Sequence, residues 1–284
     1  MAQMLAVPGD VRHGFSYNCA LNHDFGRITS IAATQKGNIL LCDYDKKNLL
    51  LVDSLGKYLK KLYFDSEPSD VAITIQNIGY VTQPNTRSVL RIDPDRMLIL
   101  MKATCTELHT SVVCASAVPF TTYTVKMIDQ NSIICFLCLN ANGGYTPIIG
   151  INHKYLYLNN IYTLQNQYKT IYDVVKFHAV NENSFCFCVA GEHDILVGNP
   201  PQACTIATID TPTDVCSDDN GHLCVSGQYS NNIHRLTQEG NVLDIPLHSQ
   251  HEIKEPVAMC FNKNYTKLYI VNEWGKSVLV FDVY

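Results

Sequence analysis

Three aspartates stand at the start of short apolar segments, where carboxylates could do chemistry together. Asp70, Asp173 and Asp214 occur in the segments SDV, YDV and TDV. Carboxylate oxygens that converge can hold a cation. An aspartate at the entry to a strand more often accepts hydrogen bonds from backbone N–H groups, and among His and Glu only Glu255 stands at an equivalent entry. We therefore expect a structural role for these carboxylates, with no bound metal.

The other residue types with catalytic or metal-binding chemistry form no recognised constellation. Cys135 and Cys138 have CxxC spacing, but they lie inside the apolar run IICFLCL, and no second cysteine pair accompanies them. This favours a buried strand over a zinc or redox site. The ten His residues follow no metal-binding spacing, and no GxSxG, P-loop or GxGxxG motif occurs. The sequence predicts a protein that is not an enzyme and binds no cofactor.

Composition and charge indicate a large apolar core and a mildly acidic surface. Of the 284 residues 46% are apolar, and 21 Lys and Arg stand against 26 Asp and Glu, which gives a net charge of −5. This charge is unfavourable for a nucleic-acid surface, which needs clustered cations. Most of the twelve Cys lie in apolar runs, and the start of the chain lacks a signal-peptide core. We expect reduced thiols in a cytoplasmic protein with no membrane span.

The elements that must position these residues are short strands, seen best in Ile31–Leu62. This stretch, IAATQKGNILLCDYDKKNLLLVDSLGKYLKKL, contains four apolar runs, each ended by Gly, Asn or Asp turn residues. Such a pattern predicts an antiparallel meander of four strands. A lone meander cannot bury both of its faces, so the unit is expected to recur.

The same pattern returns along the chain. Residues Asp43–Asp53 align with Gln83–Asp93 at a spacing of about 40, which is typical of propeller repeats. Gly227–Thr237 and Asn272–Asp282 repeat the frame of a polar turn followed by an aliphatic run. The middle of the chain is less regular, but residues 124–158 and 172–209 each hold enough strand-like runs for one unit. In residues 124–158 these runs are VKMID, IICFLCL, TPIIGI and KYLYL. The sequence thus predicts six units.

The two ends of the chain are expected to complete one unit together. The last unit has only three strands, whereas Ser16–Leu21 is a spare strand near the N-terminus. Pairing of Ser16–Leu21 with Val278–Tyr284 would leave no long exposed edge. We therefore predict an all-β chain, a single domain over residues 1–284. It would be a six-bladed β-propeller of four-stranded antiparallel blades, closed by an N-terminal strand within residues 1–27.

The repeats resemble those of the NHL propeller family. The resemblance rests on GNILLCDYDKKNLLLVDSLGKYL, PSDVAI, PTDVCSDDNGHLCVSGQYSNNIHRLTQEGNVL and KLYIVNEWGKSVLVFD. The chain looks like the C-terminal domain of tripartite-motif (TRIM-NHL) proteins, although the zinc-ligand pairs and heptads of their other domains are absent. The resemblance implies a protein-interaction scaffold and, more narrowly, the module that recruits substrates for a TRIM-like ubiquitin ligase. Some NHL domains bind RNA, which is the alternative.

Candidate partner-binding residues lie in the turns between the second and third strands of the units. All these turns share one face of a propeller, and loops on a rigid scaffold commonly carry binding sites. The candidates are Tyr44, Lys46, Arg87, Tyr229, Trp274 and Lys276. Aromatic and Arg side chains at turn tips suit a protein interface, whereas the alternative is that these are ordinary solvated turns. Trp274, the only Trp, is the sharpest candidate unless it packs under a neighbouring blade.

The charges of this face weaken the RNA alternative. Its cations are Lys46, Lys47, Arg87, Lys254 and Lys276, and its anions are Asp43, Asp45, Glu255 and Glu273. Because RNA binding depends on neutralising phosphates with clustered cations, mixed signs are unfavourable. We expect a protein partner, with no membrane contact and no small-molecule substrate.

Overall fold

The chain is built from β-strands and short turns of 3₁₀ helix. The computed structural model describes residues 12–104, 111–117, 133–139, 145–151, 174–181, 184–189, 191, 193–198 and 201–284. Within these residues the 3₁₀ turns are Pro84–Thr86, Ser249–His251 and Glu273–Gly275.

Five antiparallel sheets, the blades, have four strands each. The first contains β2 (Ile28–Ala33), β3 (Ile39–Asp43), β4 (Asn48–Val52) and β5 (Tyr58–Tyr63). The second contains β6 (Asp70–Ile73), β7 (Gly79–Gln83), β8 (Ser88–Asp93) and β9 (Leu98–Thr104). The third contains β13 (Val174–Asn181), β14 (Ser184–Val189), β15 (Asp194–Gly198) and β16 (Pro201–Thr205). The fourth contains β17 (Pro212–Ser217), β18 (Leu223–Gly227), β19 (Asn232–Leu236) and β20 (Val242–His248). The fifth contains β1 (Phe15–Leu21), β21 (Ala258–Phe261), β22 (Lys267–Asn272) and β23 (Ser277–Val283).

A further sheet has three strands, and it corrects the predicted blade count. It contains β10 (Ser111–Ala117), β11 (Ile133–Leu139) and β12 (Tyr145–Ile151). The prediction of six four-stranded blades is therefore wrong, because within the described residues five sheets have four strands and this one has three. Its innermost strand is β10, upstream of the expected run VKMID. Both VKMID and the expected fourth strand KYLYL lie outside the described residues.

The sheets form a closed ring around a central channel. The innermost strands contact one another in the cyclic order β2, β6, β10, β13, β17, β21 and back to β2. Middle strands such as β3 and β4 are buried along their whole length, because each lies between two neighbouring sheets. Separate apolar clusters fill these spaces, for example Leu40, Leu51 and Leu90 between the first two blades. This arrangement is a β-propeller.

The predicted closure by the N-terminal strand is confirmed. β1 pairs antiparallel with β23, with Ser16 opposite Asp282 and Leu21 opposite Val278. The segment before β1 is held as well, since the Arg235 guanidinium donates a 2.6 Å hydrogen bond to the carbonyl of His13. The chain ends thus complete one blade jointly, which covers the edge that β23 would otherwise expose.

Candidate functional site

The six predicted partner-binding residues lie on four equivalent turns. These are the turns between β3 and β4, β7 and β8, β18 and β19, and β22 and β23, each joining the second and third strands of a blade. We call the face that they share the turn face. Arg87, Tyr229, Trp274 and Lys276 are exposed, whereas Tyr44 and Lys46 are partly buried. The Arg27 guanidinium lies 4.4 Å from the centre of the Tyr44 ring, so Tyr44 is held by a cation–π contact.

Hydrogen bonds fasten these turns to the linkers that enter the inner strands. The backbone N–H of Tyr44 donates to the carbonyl of Arg27 (2.9 Å), and that of Tyr229 donates to the carbonyl of Asp210 (3.2 Å). In the β7–β8 turn the side-chain amide of Gln83 donates to a linker carbonyl at 2.9 Å. The turn face is therefore a fixed platform, which lowers the ordering cost of binding.

The turn that carries Trp274 differs from the other three. Glu273, Trp274 and Gly275 all have left-handed backbone conformations, with φ of 51°, 57° and 90°. Such values are uncommon for a bulky aromatic residue. A Cβ on Gly275 would lie 2.5 Å from the backbone of Ile28, so only glycine fits there. Trp274 is nevertheless 42% exposed, which means that this strained turn presents the ring to solvent instead of burying it.

Cations of the turn face are largely paired with carboxylates. Lys46 lies 2.8 Å from Asp24, and Lys47 lies 2.8 Å from Glu67. The hydrogen bond from Lys47, assisted by others, lowers the pKa of Glu67 to about 2. The pair Arg27 and Asp45 and the pair Lys254 and Glu273 are looser, at 3.8 and 3.5 Å. Among the described residues the face therefore alternates in sign and has no continuous basic patch.

Asp70 and Asp214 lie in the central channel, near the end where the inner strands begin. We call this the entry end; it opens on the turn face as a cavity of about 210 Å³. The Nζ of Lys176, from β13, forms an ion pair with Asp70 and lies 3.8 Å from Asp214. All three side chains are at least four-fifths buried. Two carboxylates and one ammonium group, which we call the entry cluster, thus lie in the channel near its entry end.

Both carboxylates also bind the neighbouring blade or sheet through its backbone. Asp70 accepts a 2.9 Å hydrogen bond from the N–H of Ala115 in β10, and Asp214 accepts one of 2.6 Å from Met259 in β21. Each also accepts the N–H of the residue that follows it. Asp70 and Asp214 thus accept backbone hydrogen bonds from a neighbouring blade or sheet, which is the structural role that the sequence predicts for them. Because their oxygens are already occupied by N–H groups and Lys176, the pair does not offer a vacant ligand set for a metal.

Burial and neighbouring charges shift the pKa values of the entry cluster in opposite directions. Burial disfavours the charge of Lys176, but Asp70 and Asp214 outweigh it and raise the pKa of Lys176 above its usual range. For Asp214 burial dominates, and it raises the pKa to about 6 even though Lys176 opposes the shift. Asp214 is therefore the member of the cluster whose charge is least well compensated.

Asp173 lies outside the described residues. In β13, Lys176 takes the place that Asp214 takes in β17: Lys176 pairs with Cys188, as Asp214 pairs with Ser226. Lys176 and Asp214 each follow a bulge that shifts the register of their strand by one residue. Lys176 was not among the residues predicted from the sequence, because its importance depends on the two carboxylates that it meets across the ring.

A second cavity, of about 310 Å³, occupies the other end of the channel, where the inner strands finish. We call this the exit end. Here the Nε2 of His178 lies 2.8 Å from the Oγ of Ser217, and its Nδ1 lies 3.5 Å from the Oγ of Ser116. Burial, with the charge of Lys176, lowers the pKa of His178 to about 4, so the imidazole is neutral at pH 7. No sequence motif predicts this cluster.

The cysteines are reduced wherever their side chains are described. All nine cysteines whose side chains the structure describes are free thiols; burial raises the pKa of most of them, including Cys188 and Cys216. Cys135 and Cys138 lie in β11, which confirms the predicted strand. The described residues contain no cluster of His, Cys, Asp or Glu suited to a metal.

No helix in that part of the chain has the length and apolar character needed to cross a membrane; the cytoplasmic location stays a prediction.

Comparison with known proteins supports the fold alone. No protein-family model and no curated protein matches the sequence. Among solved structures, a streptogramin B lyase is similar with a TM-score of 0.56 and 12% identity, over 96% of this chain and 98% of that chain. A Kuenenia stuttgartiensis hydrazine synthase is similar with a TM-score of 0.58 and 9% identity, over 98% of this chain and 99% of that one. Structural similarity over whole chains at such low identity supports the β-propeller fold. It is not evidence that the activities are shared.

Proposed function

We propose that this propeller is an interaction scaffold that binds a protein partner through the turn face. The observation that carries the proposal is Trp274, an aromatic ring kept 42% exposed on a turn whose backbone is left-handed at three consecutive residues. Strain of this kind persists where the surrounding structure holds it and often marks a functional position. Burial of such a ring at an interface contributes about 2 kcal/mol or more.

The neighbouring turns support the same proposal. Tyr229 is 56% exposed, and Arg87 is exposed at the tip of its own turn. Tyr44 contributes a ring already fixed by Arg27. Tyr, Trp and Arg are the residue types that dominate the energetics of protein interfaces. The backbone N–H groups of Tyr44, Tyr229 and Trp274 donate to linker carbonyls, so that little conformational freedom of these turns is lost when a partner binds.

A narrower proposal rests on the resemblance to TRIM-NHL domains: the bound protein is a substrate presented to a ubiquitin ligase. In cells that express the chain, the bound protein would then gain ubiquitin, and it would gain none when the turn-face residues are replaced. Profiling of ubiquitin-modified peptides measures this outcome. Binding without any change in ubiquitylation would contradict the narrower proposal and leave the scaffold role standing.

The main experiment compares two quadruple variants of the full chain. The test variant carries Tyr44→Ala, Arg87→Ala, Tyr229→Ala and Trp274→Ala. The control carries Leu55→Ala, Lys57→Ala, Arg96→Ala and Glu239→Ala, which are exposed residues on turns of the opposite face. We expect that partners recovered by quantitative mass spectrometry with the wild type are also recovered with the control and are lost from the test variant. Circular dichroism checks that both variants are folded.

Equal recovery by the wild type and the test variant would place the binding surface elsewhere. Nucleic acid is the other outcome to be measured. RNA that co-purifies with the wild type and is released steeply as salt rises would indicate phosphate contacts and would replace the protein-binding proposal. The pairing of turn-face cations with Asp24, Asp45, Glu67 and Glu273 argues for the protein.

A further inference from the structure

The exit end of the channel is a cavity with polar groups at its rim and apolar walls. It has a volume of about 310 Å³, at the lower limit for small-molecule sites in proteins. The apolar residues that line it and are at least partly exposed include Ala33, Ile73, Ile75, Cys216 and Tyr265. Ser217, the last residue of β17, lies at its open end. A few placed polar groups in an apolar recess are typical of ligand sites.

A chain of hydrogen bonds leaves one donor facing this cavity. The Oγ of Ser116 accepts the backbone N–H of Ala179 at 2.9 Å, so its own proton is available for the Nδ1 of His178, 3.5 Å away. Because the imidazole is neutral, its remaining proton is then on Nε2 and is donated to the Oγ of Ser217. The hydroxyl proton of Ser217 has no acceptor within the chain of bonds. Hydrogen bonds in series polarise one another, which strengthens this last donor.

Charge at the two ends of the cavity differs. Its deep end meets Lys176 and Asp214, where two carboxylates outnumber one ammonium group. The rim carries Lys263, which is exposed and forms no ion pair with any described residue. An anionic group is therefore repelled from the deep end and attracted to the rim. Between the two ends the walls are apolar and suit an uncharged body.

We propose that the exit cavity binds a small carboxylate with an apolar body. The carboxylate accepts the hydrogen bond from Ser217 and pairs with Lys263, while the body lies against the apolar walls. The site is separate from the turn face, and the proposal does not depend on the identity of the protein partner. Ser217 and Lys263 are binding residues here; no bond is made or broken.

The experiment uses 4-methylpentanoate as the probe and the full chain as the receptor. We expect saturable binding by calorimetry, with a matching shift of the ring resonances of His178 in the ¹⁵N-labelled protein. Ser217→Ala should weaken binding about tenfold, the effect of one hydrogen bond to a charged group. Lys263→Gln should weaken it by about twofold to fivefold, since a solvent-exposed charge contributes less. Ser217→Thr, which keeps the hydroxyl, should retain binding.

The matched control is Ser69→Ala, which removes a hydroxyl from the entry end of the same channel and should bind as the wild type does. Undetectable binding of the probe by the folded wild type would overturn the proposal. So would equal affinity of the wild type and Ser217→Ala. The neutral analogue 4-methylpentanamide separates charge from shape: binding as tight as that of the acid would overturn the carboxylate assignment.

Discussion

The entry and exit ends of the central channel are built from the same inner strands, yet they hold opposite kinds of polar groups. At the entry end Asp70, Lys176 and Asp214 are charged, buried and in contact. At the exit end Ser116, His178 and Ser217 are uncharged and linked by hydrogen bonds. The carboxylate oxygens of the first cluster are occupied, whereas the second cluster ends in the Ser217 hydroxyl, whose proton has no acceptor among the described residues.

This difference separates a structural cluster from a site that can take a ligand. Burying a charge costs free energy unless the charge is compensated. The protein itself must therefore supply the counter-charges and hydrogen-bond donors of the entry cluster. Burial of neutral hydroxyl and imidazole groups costs less free energy than burial of charges, so one hydrogen-bond donor can face a cavity without a partner in the protein. The entry end therefore links blades, and the exit end remains available for binding.

The largest effect is expected from removing the cation of the entry cluster. Lys176→Met leaves Asp70 and Asp214 buried without a counter-ion, and loss of one partner from a buried ion pair costs about 3 to 5 kcal/mol. The free energy of unfolding in urea measures this loss. Lys263→Met, at the rim of the exit end, is the control and should change the free energy by at most about 0.5 kcal/mol. Equal stability of the two variants would remove the distinction between the ends.

The two ends should respond to acid with opposite signs. The pKa of Asp214 rises on folding from 3.8 to about 6, so the native protein takes up a proton first and acidification stabilises it. The pKa of His178 falls on folding from 6.5 to about 4, so the unfolded chain takes up a proton first and acidification destabilises the fold. Each contribution is on the order of 2 to 3 kcal/mol.

Urea unfolding of two variants between pH 6.5 and 4 tests these signs. Relative to the wild type, Asp214→Asn should lose stability as the pH falls, because it lacks the proton uptake that favours the native state. His178→Asn should gain stability relative to the wild type over the same range. Curves that run parallel to that of the wild type would show that neither group is perturbed by folding.

Within the entry cluster, Asp70 should contribute more than Asp214 to the free energy of unfolding at pH 7. Asp70 contacts Lys176 closely and accepts hydrogen bonds from Ser30, Val71 and Ala115. We expect Asp70→Asn to cost about 2 to 3 kcal/mol and Asp214→Asn about 1 kcal/mol or less. The smaller cost follows because the charge of Asp214 is poorly compensated. Thermal or urea unfolding measures both, and the reverse order would contradict this account.

The smallest effect is expected from single hydroxyl groups. Ser217→Ala removes the acceptor of the His178 Nε2 proton and should cost about 0.5 to 1.5 kcal/mol. The hydroxyl of Ser69 makes no hydrogen bond to a described residue. The free energy of unfolding of Ser69→Ala should therefore stay within about 0.5 kcal/mol of that of the wild type. A larger loss for Ser69→Ala would indicate that the entry end depends on its rim hydroxyls as well.

The repeats allowed most of the fold to be predicted where turn signals are strong. Gly37 and Gly56 mark turns with φ of 80° and 83°, and the alternation of such turns with apolar runs predicted β2 to β5 with small errors at their ends. The closing strand followed from the missing member of the last unit. In the three-stranded sheet the prediction was wrong about the innermost strand, because SVVCASA carries no turn signal close by that ties it to IICFLCL.

The regular blades and the positions of Tyr44, Arg87, Tyr229 and Trp274 on turns could be read from the sequence, because turn chemistry is encoded within about four residues. The side chains that meet in the channel could be identified from the folded ring alone. Lys176 reaches Asp70 over 106 residues of sequence, and His178 reaches Ser217 over 39. These contacts depend on bulges that shift the register of β13 and β17 by one residue. They also depend on the ring that brings separate inner strands together, and neither leaves a local pattern in the sequence.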